Sequence, residues 1–492
     1  MIDITTDELE KMGVMNSKQV IAVDLDGTIT LTDTLYESVL ALVRNNPGFL
    51  FILPFWLARG VSFLKLKIAE NSNLDVTALP YNLPFIDWLR EQRSSGNKIV
   101  LSTAANERIA RSVSNHLNLF DDIISSDGNK NLKSVHKRNA LDERFGEKGY
   151  VYAGNSSADI EVWAGASHAV IVNANAAVKR KASKVAIVSH TFPPESVGLA
   201  DWTRALRVHQ WLKNLLLFVP LIAAHKLGDF MPLTNLWIAF FSFSFCASFV
   251  YVTNDLLDLE SDRRHPRKRK RPFASAKLSI VLGIAIAPLL IVLSVALGLM
   301  VGKEFLVILL LYFLLAIAYS LGLKRIVLLD CLTLATLYTV RIIAGAAAVS
   351  LPLSFWLLAF SVFIFLSLAL VKRYAELILQ LKEGKSNAHG RGYVVSDTPL
   401  LQTFGVSSGY ISALVIALYL RSEGVVSLYA YPAAIWFVIP MILFWVSWVW
   451  LKAARGEMHD DPIVFAVKDK ASLLVACLTV VVLIYAATGL RI

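Results

Sequence analysis

From about residue 205 onward the apolar residues gather into blocks of about 17–25, each long enough to cross a bilayer. Before that point they alternate with charges, as in a chain that folds in water. This switch within 492 residues calls for two folding units, one soluble and one embedded in a membrane. A hydrophobic fraction of 55% and a mean hydropathy of +0.55 lie above the range of soluble globules. Nine spans are expected, centred near residues 219, 243, 289, 313, 338, 362, 413, 440 and 480. Alternate loops hold about 19 Lys/Arg (Arg263–Lys277, Lys324–Arg325, Lys372–Arg391, Lys452–Lys470), against about three in the others (Lys226, Lys303, Arg421). That bias predicts an inner-membrane protein with a cytoplasmic N-terminal domain and a C-terminus on the opposite side. It also accounts for the net charge of +10 without a nucleic-acid partner.

The first twenty residues are polar and lack the apolar core of a cleavable signal, so none is expected. Cys246, Cys331 and Cys477 lie inside apolar blocks with no pair at metal-binding spacing, and read as packing residues.

The N-terminal part has the rhythm of a parallel α/β sheet. Strands are expected at Val20–Val23, Lys98–Leu101, Asp122–Ile124, Tyr150–Tyr152 and Ala169–Val172, with helices between several of them. A helical insert over 34–84 contains FLFILPFWLARGVSFLKLKI, which Pro54, Gly60 and its basic residues disqualify as a span. It reads as a cap, with a membrane-contacting interfacial helix as the alternative. The expected division is a soluble domain over 1–175, a linker over 176–204 and an all-α membrane bundle over 205–492.

The run Ile21-Ala22-Val23-Asp24-Leu25-Asp26-Gly27-Thr28 is an apolar strand ending in D-x-D-G-T. Two carboxylates at one strand tip, two residues apart, point to the same side. One can attack phosphorus while the other protonates the leaving oxygen, with Mg²⁺ holding nucleophile and phosphate together. Ser102-Thr103 at the end of a later strand, Lys133 and Lys137 near a helix start, and Gly154-Asn155-Ser156-Ser157-Ala158-Asp159 follow in order. This set resembles the haloacid dehalogenase superfamily over most of 18–175. The resemblance implies Asp24 as nucleophile and Asp26 as general acid/base. It implies Thr103 or Ser102 as the phosphate-binding hydroxyl, Lys137 or Lys133 as the phosphate-neutralising lysine, and Asp24, Asp26, Asn155 and Asp159 around the metal. Many members carry aspartate where this chain has Asn155.

A second acidic group, Asn254-Asp255-Leu256-Leu257-Asp258-Leu259-Glu260-Ser261-Asp262, follows a span directly. Asp255, Asp258 and Asp262, at i, i+3 and i+7, share a helix face, and their mutual repulsion calls for bridging cations. Carboxylate oxygens suit Mg²⁺, which favours diphosphates, and the basic run Arg263–Arg271 comes next. N-D-x-x-D-x-x-x-D at this place resembles the UbiA superfamily of intramembrane transferases over 205–492, and Tyr319-Ser320 with Lys324 and Arg325 matches its basic pocket edge. Where the family usually has a second aspartate-rich segment, this chain has Lys372-Arg373-Tyr374-Ala375-Glu376-Leu377. That run, together with Arg207–Asn214 and His459-Asp460-Asp461-Pro462, is similar to the polyprenyl-phosphate phosphoribosyltransferase branch. By that resemblance phosphoribosyl pyrophosphate is the donor and a polyprenyl phosphate in the bilayer the acceptor. Asp255, Asp258 and Asp262 hold the metal; Lys213, Asn214, Asn254, Lys324, Arg325, Lys372 and Arg373 are candidates for substrate binding, and Glu376 and Asp461 for a ligand or ribose contacts. Arg341, inside an apolar block, is functional or half of a buried structural pair.

Transfer of phosphoribose leaves a 5-phosphate on the lipid-linked sugar, which a phosphatase on the same side could remove. Two alternatives stay open: a prenyltransferase using an isoprenyl diphosphate, and a membrane scaffold or transporter with a regulatory soluble domain. Oligomeric state is not legible.

Overall fold

The computed structural model describes residues 19–126, 132–226, 228–382, 392–422, 428–458 and 461–488. The first eighteen residues, His459 and Asp460, and most of the basic loop before Arg391 lie outside them. The chain divides into two compact units. One comprises 1–205 with 252–286, the other 206–251 with 287–492.

In the first unit six parallel strands form one sheet in the order β3-β2-β1-β4-β5-β6: β1 Val20–Val23, β2 Lys98–Asn106, β3 Asp122–Ser126, β4 Tyr150–Gly154, β5 His168–Val172 and β6 Ile187–Phe192. β1 is flanked by β2 and β4, with Val23 opposite Leu101 on one side and Ala153 on the other. Ile21, Val23 and Leu25 pack into the core on one face, and Ala22 into the core on the other. A strand covered on both faces reads as a continuous apolar run, which is why VIAV shows no alternation. The chain leaves β1 in one direction and returns at β4 in the other, so the β1–β4 edge opens a crevice at the strands' carboxyl ends.

The insert after β1 is a cap of three helices, α1 Thr34–Asn45, α2 Phe49–Ala58 and α3 Val61–Asn71. Asp33 caps α1 by accepting from the Leu35 amide. Helix α2 forms despite Pro54 and buries none of its side chains.

The expected linker is a correction. Residues 176–185 form a helix and 187–192 form β6, paired to β5, so sheet structure continues to Phe192. His190 and Thr191, with Pro193-Pro194 beyond, dilute the apolar pattern, as suits a half-exposed edge strand.

Among the described residues eight helices, not nine, are long and apolar enough to cross a membrane: Phe230–Leu257, Ile280–Val301, Lys303–Leu321, Leu329–Ala348, Phe355–Lys382, Val395–Tyr419, Pro432–Ala454 and Lys470–Thr488. The block expected near 219 is instead a tight 3-10 stretch, Val208–Phe218, running into the short helix Val219–Ala223 with Pro220 in its first turn. In the second unit Leu329–Ala348 is the most enclosed of the spans. Gly345 lets the lead-in stretch press against it. A Cβ there would stand 2.0 Å from the Leu217 carbonyl oxygen.

Candidate functional site

Asp24 follows β1 directly, its amide donating to the Ala153 carbonyl at 2.9 Å and tying it to β4. Lys137 reaches back across 113 residues to donate to Asp24 Oδ1 at 2.7 Å and to the Tyr152 hydroxyl at 2.9 Å. Tyr152 in turn donates to Asp159 Oδ1 at 2.8 Å. Burial pushes the Asp24 carboxyl up to about 6, against the pull of Lys137. Burial would lower the Lys137 ammonium, but Asp24 and Asp159 outweigh it and raise it, so the lysine keeps its charge. Asp26 accepts from the Thr34 amide at the start of α1 at 2.7 Å. Burial, then the charges of Asp33 and Asp24, push it up to about 7, the range of a group that hands over a proton near neutrality.

Asp159, expected around the metal, is tied into its own loop. Its Oδ2 accepts from the Asn155 amide, the Ser156 amide and the Ser156 hydroxyl at 2.9–3.1 Å, and its Oδ1 from Tyr152. It fixes the loop and stands 3.9 Å from the Lys137 ammonium. Asn155 is the residue of that loop which meets the D-x-D-G-T turn. Gly27, at φ +76°, could carry no Cβ, because one would lie 1.9 Å from Asn155 Nδ2. Asp24, Asp26 and the side-chain oxygen of Asn155, all lining one cavity, are hard-oxygen donors of the kind Mg²⁺ takes. Among the described residues no three His, Cys, Asp or Glu side chains converge on a metal position.

A cavity of about 1050 Å³ opens on these groups, lined by Asp24, Asp26, Lys133, Lys137 and Asn155. Ser102 and Thr103 are fully buried and do not line it. Thr103 accepts from the Ala105 amide at 2.9 Å, Ser102 Oγ has no hydrogen-bond partner among the described residues, and Ala104–Asn106 form the wall there. Lys65, from α3, lines the cavity and donates to the Ala104 carbonyl at 2.8 Å. Burial lowers its ammonium, opposed by Asp26 and Asp33. The sequence carried no signal for Lys65 or Tyr152 beyond their types. The opposite wall includes Ser275, Lys277, Ser279 and Ile280, the last being the first residue of a membrane span.

The same unit carries the second acidic group. Asp255 ends the span Phe230–Leu257, Asp258 sits at the bend that follows, and Asp262 lies in the helix Leu259–Arg264. Asp255 and Asp262 are buried and share one cation, Arg271 Nη1, at 3.0 and 2.6 Å. A carboxylate pair already built to share a positive charge fits a divalent ion. The Asn254 carbonyl accepts from the Asp258 amide. The basic run is partly committed elsewhere: Arg263 pairs with the buried Glu37 of α1 at 2.6 Å, and Arg264 pairs with Asp75.

In the second unit Asp461 gathers basic residues from distant elements. Lys213 and Lys372 donate to its Oδ2 at 2.7 and 3.0 Å, and Tyr338 lies 3.3 Å from Oδ1. Burial alone would raise this carboxyl, but Lys372 and Lys213 hold it well below the usual carboxylate range. Arg341 lies beside the same Tyr338 ring, 5.8 Å from its centroid. It bonds only neutral groups among the described residues: Asn214 Oδ1 at 2.9 Å, the Tyr312 hydroxyl at 2.9 Å and the Leu337 carbonyl. Three cations, Lys213, Lys372 and Arg341, thus gather around Asp461 and Tyr338. Arg373 is not among them. It is fully buried, 2.8 Å from Asp330 and paired with Glu376. Lys324 and Arg325 form a short 3-10 turn after the span Lys303–Leu321.

Residues 215–468, just over half of the chain, match the UbiA prenyltransferase family. The chain belongs to that family. The uncharacterized protein y4nM of Sinorhizobium fredii is 37% identical over 92% of this chain and 88% of its own, an alignment that takes in both units. The nodulation protein NoeC of Azorhizobium caulinodans is 38% identical over 56% of this chain and 90% of its own. A decaprenyl-phosphate phosphoribosyltransferase of Mycolicibacterium smegmatis is 30% identical over 56% and 89%. This UbiA protein is a multi-pass membrane protein whose N-terminal part is built on a six-stranded parallel sheet, with Asp24 and Asp26 just past the end of β1.

Proposed function

We propose that the chain is a bifunctional enzyme that transfers 5-phosphoribose from phosphoribosyl pyrophosphate to a polyprenyl phosphate and then removes the 5-phosphate. One observation carries the coupling. The phosphatase-type cavity is walled partly by Ser275–Val281, the segment that leads into a membrane span, so its substrate is one that reaches the bilayer surface. The phosphoribosyltransferase relatives support the donor, and the cluster of Lys213, Lys372 and Arg341 supports an anionic substrate.

In the transfer step an oxygen of the lipid phosphate bonds to the ribose anomeric carbon while the carbon–oxygen bond to pyrophosphate breaks. Lys213, Lys372 and Arg341, with Lys324 and Arg325, stabilise the anionic groups, and Asn214 orients Arg341. Asp255, Asp258 and Asp262 would hold the Mg²⁺ that the transfer step calls for. In the hydrolytic step Asp24 Oδ bonds to phosphorus as the ester oxygen leaves, Asp26 gives that oxygen its proton, and water then releases phosphate from Asp24. Lys137 orients and neutralises Asp24, and Asp24, Asp26 and Asn155 would hold the metal. Mg²⁺, when bound, neutralises charge so that carboxylate and phosphate can approach. The N-terminal domain is cytoplasmic by the distribution of Lys and Arg.

Purified protein with Mg²⁺, labelled phosphoribosyl pyrophosphate and a polyprenyl phosphate should place label in the lipid fraction. No labelled lipid would sink the transferase reading. An isoprenyl diphosphate donor giving product instead would establish the prenyltransferase alternative.

A further inference from the structure

Helix α2 has the sequence FLFILPFWLA and is apolar on every side. None of its side chains is buried; Phe51 is 79% exposed, Phe55 73% and Leu50 56%. At about 15 Å it is too short to span a bilayer. Arg44 and Arg59 stand at either side of it, and Trp56 lies near one end. The rest of the first unit fixes its level. Arg44, at the end of α1, stands 3.7 Å from Glu260, three residues past the end of the span Phe230–Leu257. Leu40 and Ala41 of α1 share a crevice with Leu256, Leu257 and Leu259. Five residues then lead from Arg44 to Phe49, at most about 18 Å of chain. An exposed apolar helix with basic flanks is thus tethered within a few residues of where a membrane helix leaves the bilayer.

We infer that α2 is an interfacial anchor, lying in the bilayer surface with Phe51 and Phe55 among the acyl chains and Arg44 and Arg59 at the lipid phosphates. The partner is the bilayer that holds the spans, and the inference is independent of which phosphate ester the cavity takes. Anchoring holds α1, whose first amide bonds Asp26, at the membrane surface.

The test uses the full chain in nanodiscs of phosphatidylcholine and phosphatidylglycerol. In a Cys477→Ser background, with Cys246 and Cys331 buried, an environment-sensitive fluorophore is attached at Phe51→Cys, Phe55→Cys or, as control, Arg111→Cys on the helix Glu107–Leu117. Since α2 buries no side chain, the labels leave the core intact. Brominated acyl chains should remove most of the fluorescence at 51 and 55 and none at 111, whereas aqueous iodide should quench only 111. Iodide quenching at 51 and 55 without bromine quenching overturns the proposal. So does shielding from both quenchers, the result expected if a second copy of the chain covered the helix.

Discussion

Asp24 and Asp26 carry the same side chain, yet their neighbours divide the work. Asp24 faces the Lys137 ammonium, whereas Asp26 accepts from the Thr34 amide and stands beside the charges of Asp33 and Asp24. Both carboxyls are raised from 3.8, to about 6 and about 7. Below pH 4 folded and unfolded chains hold these protons alike. As pH rises the unfolded chain releases them first, so the sites contribute stability at low pH that is lost as pH climbs through about 6 to 7. Mg²⁺ should restore it once the carboxylates are bare. In EDTA, hydrogen exchange of β1 and β4 in the detergent-solubilised protein should therefore be faster relative to pH-corrected intrinsic rates at pH 8 than at pH 5. Added Mg²⁺ should slow it strongly at pH 8 and little at pH 5. Equal protection by Mg²⁺ at both pH values would remove these carboxylates as its ligands. The pair was legible because D-x-D-G-T is local, strand and turn together in eight residues. Tyr152 was not, because its hydroxyl links Lys137 to Asp159, a contact that only the folded sheet makes. The pairing of Arg373 was hidden for the same reason: its buried partner Asp330 lies 43 positions away, in another span.

At the scale of elements, the contact between α1 and the helix Leu259–Arg264 carries the most consequence. Glu37 is buried, accepts from Thr32 at 2.7 Å, and pairs with Arg263, which also donates to the Ala274 carbonyl at 2.9 Å. Removing one partner of a buried pair strands the other, at a cost of roughly 3–5 kcal/mol, whereas replacing both by apolar groups can be nearly neutral. Glu37→Gln should accordingly loosen the cap, seen as faster protease cleavage within 34–84 and lower phosphatase turnover. The double variant Glu37→Met/Arg263→Leu should recover most of the resistance. If the double variant is as labile as the single, the pair is not what holds the cap. The sequence announced Arg263 only as one more topological charge, since 226 residues separate it from Glu37. Strands β1 to β5 were legible from runs of buried Val, Ile and Ala. The edge strand β6 was hidden by its half-exposed polar residues, and the block near 219 looked like a span because apolar content does not reveal a 3-10 stretch broken at Pro220.

The molecule as a whole joins two acidic sites of different chemistry, and the proposed reactions run in a fixed order. Transfer creates the phosphomonoester that hydrolysis consumes, so each site can be silenced with a different signature. Asp255→Asn removes a carboxylate that shares Arg271 with Asp262. It should reduce label in lipid by a hundredfold or so, the scale of losing a charged group in a metal site, while leaving hydrolysis of a soluble phosphomonoester at the wild-type rate. Asp24→Asn removes the nucleophile and should do the reverse. Labelled lipid still forms at the wild-type rate, but it keeps its phosphate, so the phosphorylated form accumulates where the wild type yields dephosphorylated lipid and inorganic phosphate. Thin-layer separation of the two lipids before and after alkaline phosphatase distinguishes them. If Asp24→Asn yields the same dephosphorylated lipid as wild type, the N-terminal domain acts on some other ester. If it yields none of either lipid, the two sites are not separable steps, and the order proposed here is wrong.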